Sequence, residues 1–83
     1  MVKVVFTDDA KRDLLKLDKK TRLRIVNKLR FFASDPLKFS RKLSHPSIGS
    51  FRFRIGEYRV IFDLKNDAIV ILKVGHRRDI YAN

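Results

Sequence analysis

Three arginines, Arg52, Arg54 and Arg59, are spaced so that a single patch would carry all of them. Phe51, Phe53 and Ile55 alternate with Arg52 and Arg54, the period-two pattern of a half-buried strand. Gly56-Glu57 follows, with glycine at the first central position, as a two-residue type II′ turn requires. Folding that turn in register sets Ile55 opposite Tyr58, Arg54 opposite Arg59 and Phe53 opposite Val60. Phe51, Phe53, Ile55, Tyr58, Val60 and Phe62 then share one face, which must be the core, and the arginines share the other. Like charges directly opposite on neighbouring strands are destabilising, and a guanidinium cannot relieve the repulsion by shedding its proton. A solvated outer face explains any one of these residues. The cluster suits a different use, as fixed bidentate donors for the phosphates of a polyanion.

The overall charge has the same sign. In 83 residues there are 20 Lys and Arg against 9 Asp and Glu, a net charge of +11. That excess points to nucleic acid, an anionic membrane surface or an acidic protein partner. A 45% hydrophobic content excludes a disordered basic tail, and the length suits one domain, residues 1–83, with a modest core. No run approaches the roughly 20 apolar residues of a membrane span, and Val2 to Phe6 is too short for a signal peptide. A cytoplasmic location without membrane contact is therefore expected. There is no cysteine, and His45 and His76 lack the spacing of paired ligands, so neither metal nor cofactor is expected.

The remaining elements must position the arginine strands. Val2 to Phe6 reads as a short strand. Thr7 is a natural N-cap for a helix over residues 8–17, with Ala10, Leu14 and Leu17 at helical spacing. Asp18 restarts the pattern for a longer helix over about 19–34, its stripe formed by Ile25, Val26, Leu29, Phe32 and Ala33. Pro36 ends it. Lys20, Arg24 and Lys28 recur every fourth residue on the outer side, as a solvated face or as a docking surface for nucleic acid or an acidic helix. Residues 35–50 read as one ordered loop containing His45. After a turn at Lys65-Asn66-Asp67, Ala68 to Val74 is nearly all apolar, as a central strand should be. A two-residue turn there would aim Lys73 at the core. A three-residue turn instead buries Val70, Leu72 and Val74, sets Lys73 beside Arg59, and by parity aims Arg77 rather than Arg78 at the arginine face. The fold class is thus α+β: a strand, a helical hairpin, then a three-stranded antiparallel meander.

The run Gly49-x-x-Arg52-x-Arg54-x-Gly56-x-Tyr58-Arg59-Val60-Ile61-Phe62, an apolar strand, and Val74-Gly75-His76-Arg77-Arg78-Asp79-Ile80-Tyr81 resembles the RelE/ParE superfamily, the toxins of type II toxin–antitoxin pairs. The likeness spans the whole chain and is specific from Gly49 to Tyr81. It implies a RelE-like fold, a cognate acidic RelB-like antitoxin, and operator DNA reached only through the antitoxin complex. RelE-like members enter the ribosomal A site and cut messenger RNA without metal, the 2′-hydroxyl attacking its own adjacent phosphate. Carried onto this chain, the resemblance gives Arg52 and Arg54 as the basic pair on the first hairpin strand. Arg59 becomes the transition-state stabiliser, Arg77 acts on the leaving group, and Tyr81 stacks on a base. Lys20, Arg24, Lys28, Lys73 and Arg78 would contact RNA or the ribosome.

Two departures stand out. Many RelE-like toxins carry lysine at the positions of Arg52 and Arg54, and lysine is more readily tuned toward a general base. His76 is then the best base by chemistry, although simple alternation points it away from the arginines unless Gly75 breaks the strand. The chain also stops two residues beyond Tyr81, without the C-terminal helix of some members. ParE-like inhibition of DNA gyrase, or a basic RNA- or DNA-binding module without chemistry, are the alternative functions.

Overall fold

In the computed structural model, which describes residues 3–43 and 48–80, the chain forms strand β1 (Lys3–Phe6), helices α1 (Asp8–Leu15), α2 (Lys19–Phe32) and α3 (Pro36–Phe39), and strands β2 (Ser40–Lys42), β3 (Phe51–Ile55), β4 (Tyr58–Lys65) and β5 (Ala68–His76). One five-stranded sheet runs in the order β1-β5-β4-β3-β2. The β3-β4-β5 meander is antiparallel as expected, and β1 lies parallel to β5, with Lys3 beside Ala68 and Phe6 beside Ile71.

Both helix starts lie where the capping residues place them. Thr7 Oγ1 accepts a hydrogen bond from the Ala10 amide at 3.2 Å and donates to the Ile71 carbonyl at 3.0 Å, so one hydroxyl caps α1 and pins it to β5. Asp18 accepts from the Thr21 amide and hydroxyl, and those hydrogen bonds hold its carboxyl below the usual range. Each helix ends two residues earlier than its pattern suggests, α1 at Leu15 and α2 at Phe32. Ala10, Leu14, Ile25 and Leu29 pack with Phe53, Val60 and Phe62 on one face of the sheet. Val26, a member of the expected stripe, is only half-buried.

Residues 35–50 are not a plain loop. Pro36, suited to the first helical turn, opens α3. Phe39 then stacks on Phe32 at 5.1 Å, Phe32 meets Phe53 at 4.9 Å, and Phe53 lies over Phe62 at 4.2 Å. This aromatic column fixes the segment, and Ser40–Lys42 continue from it as edge strand β2, paired with β3. His45 lies outside the described residues.

The β4–β5 turn corrects the sequence reading. It has two residues, with Lys65 opposite Ala68 and Asn66 at a φ of 53°. Ile69 and Ile71 therefore face the core, rather than Val70 and Leu72. A β-bulge then intervenes: Phe62 pairs with Ile71 and Ile61 with Lys73, leaving Leu72 as the extra residue. The inserted residue flips parity, so Val74 returns to the core and Lys73 stays out of it. Two isoleucines are buried and an ammonium is not, a combination neither regular turn allows.

Candidate functional site

The hairpin behaves as its residues dictate. Arg52 pairs across from Ile61, Phe53 from Val60, Arg54 from Arg59 and Ile55 from Tyr58. Gly56 has a φ of +59° and, among the described residues, Asn66 is the sole non-glycine with positive φ, so the turn is type II′. Phe53, Ile55, Val60 and Phe62 are buried beneath the helices, with Phe51 and Tyr58 half-buried beside them. The arginines occupy the opposite face.

That face is not uniformly solvated. Arg59 is only 6% exposed, and its Nη1 donates to the carbonyls of Gly56 at 3.0 Å and Tyr58 at 2.9 Å. The guanidinium is thereby held against the turn. Ile61, two residues on, is fully buried on the same face because the chain at Gly49 crosses it: a Cβ on Gly49 would lie 2.4 Å from Ile61 Cγ2. The Ser50 amide donates to Asp63 at 2.8 Å and tethers this crossing to β4. The result is a walled surface, with exposed Arg54 and half-buried Arg52 beside the crossing segment.

The Gly56-Glu57 turn gathers more positive charge than strand parity predicts. The Arg77 amide donates to the Glu57 carbonyl at 2.8 Å, and Arg77 Nε donates to Glu57 Oε2 at 2.6 Å. From α2, Arg24 reaches the same turn, since a Cβ on Gly56 would lie 2.7 Å from its Nη2. Arg24 is therefore a neighbour of the hairpin tip, whereas Lys20 and Lys28 are exposed on the helix. Glu57, which the sequence places in the hairpin turn, is the partner of Arg77.

His76 is not part of this group. Strand β5 continues unbroken through Gly75, so His76 pairs opposite Tyr58 on the other face and meets its ring edge-on at 5.5 Å. Its Nδ1 accepts from the Arg78 amide at 3.1 Å. It borders a cleft of about 560 Å³ between α1 and the end of β5, lined also by Asp13, Lys16, Tyr58 and Arg78. Lys73 lines the same cleft and pairs opposite Ile61; Gly75, not Lys73, stands opposite Arg59. The cleft and the arginine face are separate features. Tyr81 lies outside the described residues.

Sequence reasoning missed Arg41. Strand β2 sets it directly opposite Arg52, so the arginine face extends by one strand. The sequence carries no period-two signal there: Ser40-Arg41-Lys42 is a short polar run between Phe39 and Leu43, indistinguishable from a loop. Among the described residues no group of three or more acidic, histidine or cysteine side chains could hold a metal, and no helix is long and apolar enough to cross a membrane.

Comparison with known proteins gives this geometry its context. Residues 4–81 match the family model of the ParE toxin of the type II toxin–antitoxin system parDE. Toxin RelG of Mycobacterium tuberculosis is 38% identical over 82 residues, covering 94% of this chain and 93% of that protein. Among solved structures, the toxin–antitoxin complex RelBE2 of Mycobacterium tuberculosis contains a chain with a TM-score of 0.83 and 32% identity, covering 92% of this chain and 98% of that one. The RelE–RelB complex of Pyrococcus horikoshii gives a TM-score of 0.72 at 27% identity, covering 94% and 97% respectively. With the strand order, the hairpin and the arginine face accounted for, the chain belongs to the RelE/ParE family of toxins of type II toxin–antitoxin systems.

Proposed function

We propose that this toxin is a ribosome-dependent endoribonuclease that cuts messenger RNA in the A site, without metal, and so inhibits translation. In the reaction the RNA's own 2′-oxygen forms a bond to the adjacent phosphorus while the bond to the 5′-oxygen breaks. A 2′,3′-cyclic phosphate and a 5′-hydroxyl result, the proton leaving the 2′-oxygen and another arriving at the 5′-oxygen. The pentacoordinate phosphorane carries extra negative charge, and preorganised cations are the main means of lowering its energy.

The observation that carries this reading is the Arg54–Arg59 pair, two arginines in register across β3 and β4 with Arg59 locked to the turn that also holds Arg77. In this reading Arg59 stabilises the transition state, Arg52 and Arg54 engage the RNA backbone at and beside the scissile phosphate, and Arg77 acts at the leaving oxygen. Tyr81 stacks on a base. His76 faces elsewhere, so the chemistry leans on fixed charge rather than on a histidine base. Lys20, Arg24, Lys28, Lys73 and Arg78 add affinity for RNA and the ribosome.

The partner that restrains it is a RelB-like acidic antitoxin, through whose complex alone it reaches operator DNA. Support comes from the RelBE complexes of its structural relatives, the net charge of +11, and the exposed Leu15, Leu23, Phe31 and Leu37 on the helices. Incubation with translating ribosomes, followed by mapping of RNA 5′ ends, tests the nuclease. Cleavage in the A site codon is expected; intact messenger together with loss of gyrase supercoiling would instead assign the ParE-type activity.

A further inference from the structure

We propose that Arg41 and Arg52 form a second phosphate subsite, one nucleotide along from the Arg54–Arg59 pair, on the backbone of a single-stranded RNA. The proposal rests on the nuclease reading for its biological setting, but its geometry stands by itself. Arg41 is exposed and pairs directly opposite Arg52, as Arg54 pairs opposite Arg59. Four arginines therefore make two cross-strand rows on one face. Arg52 and Arg54 stand two residues apart on β3, about 7 Å along the strand, close to the separation of successive phosphates on an extended single strand.

The plainer account is that β2 is an edge strand and charged residues on edges prevent chains from pairing. Lys42, exposed on the same strand, already provides that. Edge protection does not require that cation to stand opposite Arg52, in step with the Arg54–Arg59 row. A ligand that brings one phosphate to each row matches this repeat, and an RNA backbone supplies phosphates at that spacing.

Binding is measured directly, by fluorescence anisotropy with a labelled 2′-O-methyl RNA hexamer, whose blocked 2′-oxygen keeps it intact. Arg41→Ala should weaken binding roughly five-fold and reduce the slope of log affinity against log salt by about 0.7, the loss of one single-strand phosphate contact. Arg41→Lys should keep the wild-type slope. On a dinucleoside monophosphate, followed by NMR titration, Arg41→Ala should change nothing, because the single phosphate occupies the first row. The melting temperature of Arg41→Ala should equal or exceed wild type, and Arg41→Gln provides the same readout should the alanine variant express badly. Unchanged hexamer affinity and slope overturn the subsite. So does an effect confined to antitoxin binding, or an equal loss on the dinucleotide. Wild-type protein that binds the hexamer through Arg41 yet leaves ribosomal messenger intact sinks the nuclease reading alone.

Discussion

Arg77 is bound to Glu57 at two points, its amide to the Glu57 carbonyl at 2.8 Å and its Nε to the carboxylate at 2.6 Å. Both side chains are more than half exposed, at 57% and 61%, so as a surface ion pair the contact contributes at most about 1 kcal/mol. Its effect is geometric. It fixes where the Arg77 guanidinium sits relative to Arg59, whose Nη1 holds the preceding carbonyl of the same turn.

Removing Arg77 and loosening it should therefore differ. Arg77→Ala is expected to lower single-turnover cleavage on ribosomes by on the order of 10²–10³. Glu57→Gln leaves the backbone bond in place and should cost roughly ten-fold, without changing ribosome affinity. Equal losses would mean that Glu57 itself takes part in proton transfer.

Arg59 should show a combined phenotype. Its guanidinium is buried and satisfies two carbonyls, so Arg59→Ala is expected to reduce stability by about 1–3 kcal/mol in urea unfolding as well as to abolish cleavage. Arg59→Lys keeps the charge but loses the fork, and should recover part of the stability and little of the activity.

Gly49→Ala places a methyl group 2.4 Å from Ile61 Cγ2, at a φ of +154°. Ile61 is fully buried and cannot swing aside. A loss of roughly 1–3 kcal/mol is expected from overpacking, read as a lower urea midpoint, with the crossing segment displaced from the arginine face.

The Asp18 carboxylate gives a pH signature. Hydrogen bonds from Thr21 lower its pKa below the ordinary 3.8. A depressed carboxyl stabilises the fold above its unfolded pKa and loses that contribution as pH falls through the folded value. Asp18→Ala should therefore lower the melting temperature near neutral pH. The difference from wild type should shrink progressively below about pH 4 and vanish in stronger acid, as followed by circular dichroism.

Deleting Leu72 should be tolerated better than a deletion elsewhere in β5. Without the extra residue the ladder becomes regular, with Lys73 still opposite Ile61 and Val74 still opposite Val60. A cooperative urea transition is expected for the Leu72 deletion, whereas deleting Val70 should turn Ile69 off the core face and abolish it.

The hairpin was legible because Phe51 to Phe62 states its own period and Gly56 permits one turn type. The helix starts were legible for a similar reason, since the capping bonds of Thr7 and Asp18 reach amides within the next turn. What escaped were features decided across the sheet. Nothing local in Ala68 to Val74 signals a bulge at Leu72; it arises because Ile69, Ile71 and Val74 all compete for the core. Strand β2 depends on Phe39 finding Phe32, and the Arg77–Glu57 contact joins residues twenty positions apart. The arginine positions could be read, but their unequal burial, which separates Arg59 from Arg54, depends on the turn and on the Gly49 crossing.

The parallel pairing of β1 with β5 also governs how the chain is made. Lys3 finds Ala68 only after the whole intervening chain has been synthesised, and β5 fills the gap between β1 and β4. Such distant pairings fold slowly, because loop closure precedes any compensating contact. Until β5 emerges, β1 and one side of β4 are open edges on a growing polypeptide, and the seat for Arg77 does not exist. The growing chain is thus most prone to aggregate at that stage, before β5 closes the sheet.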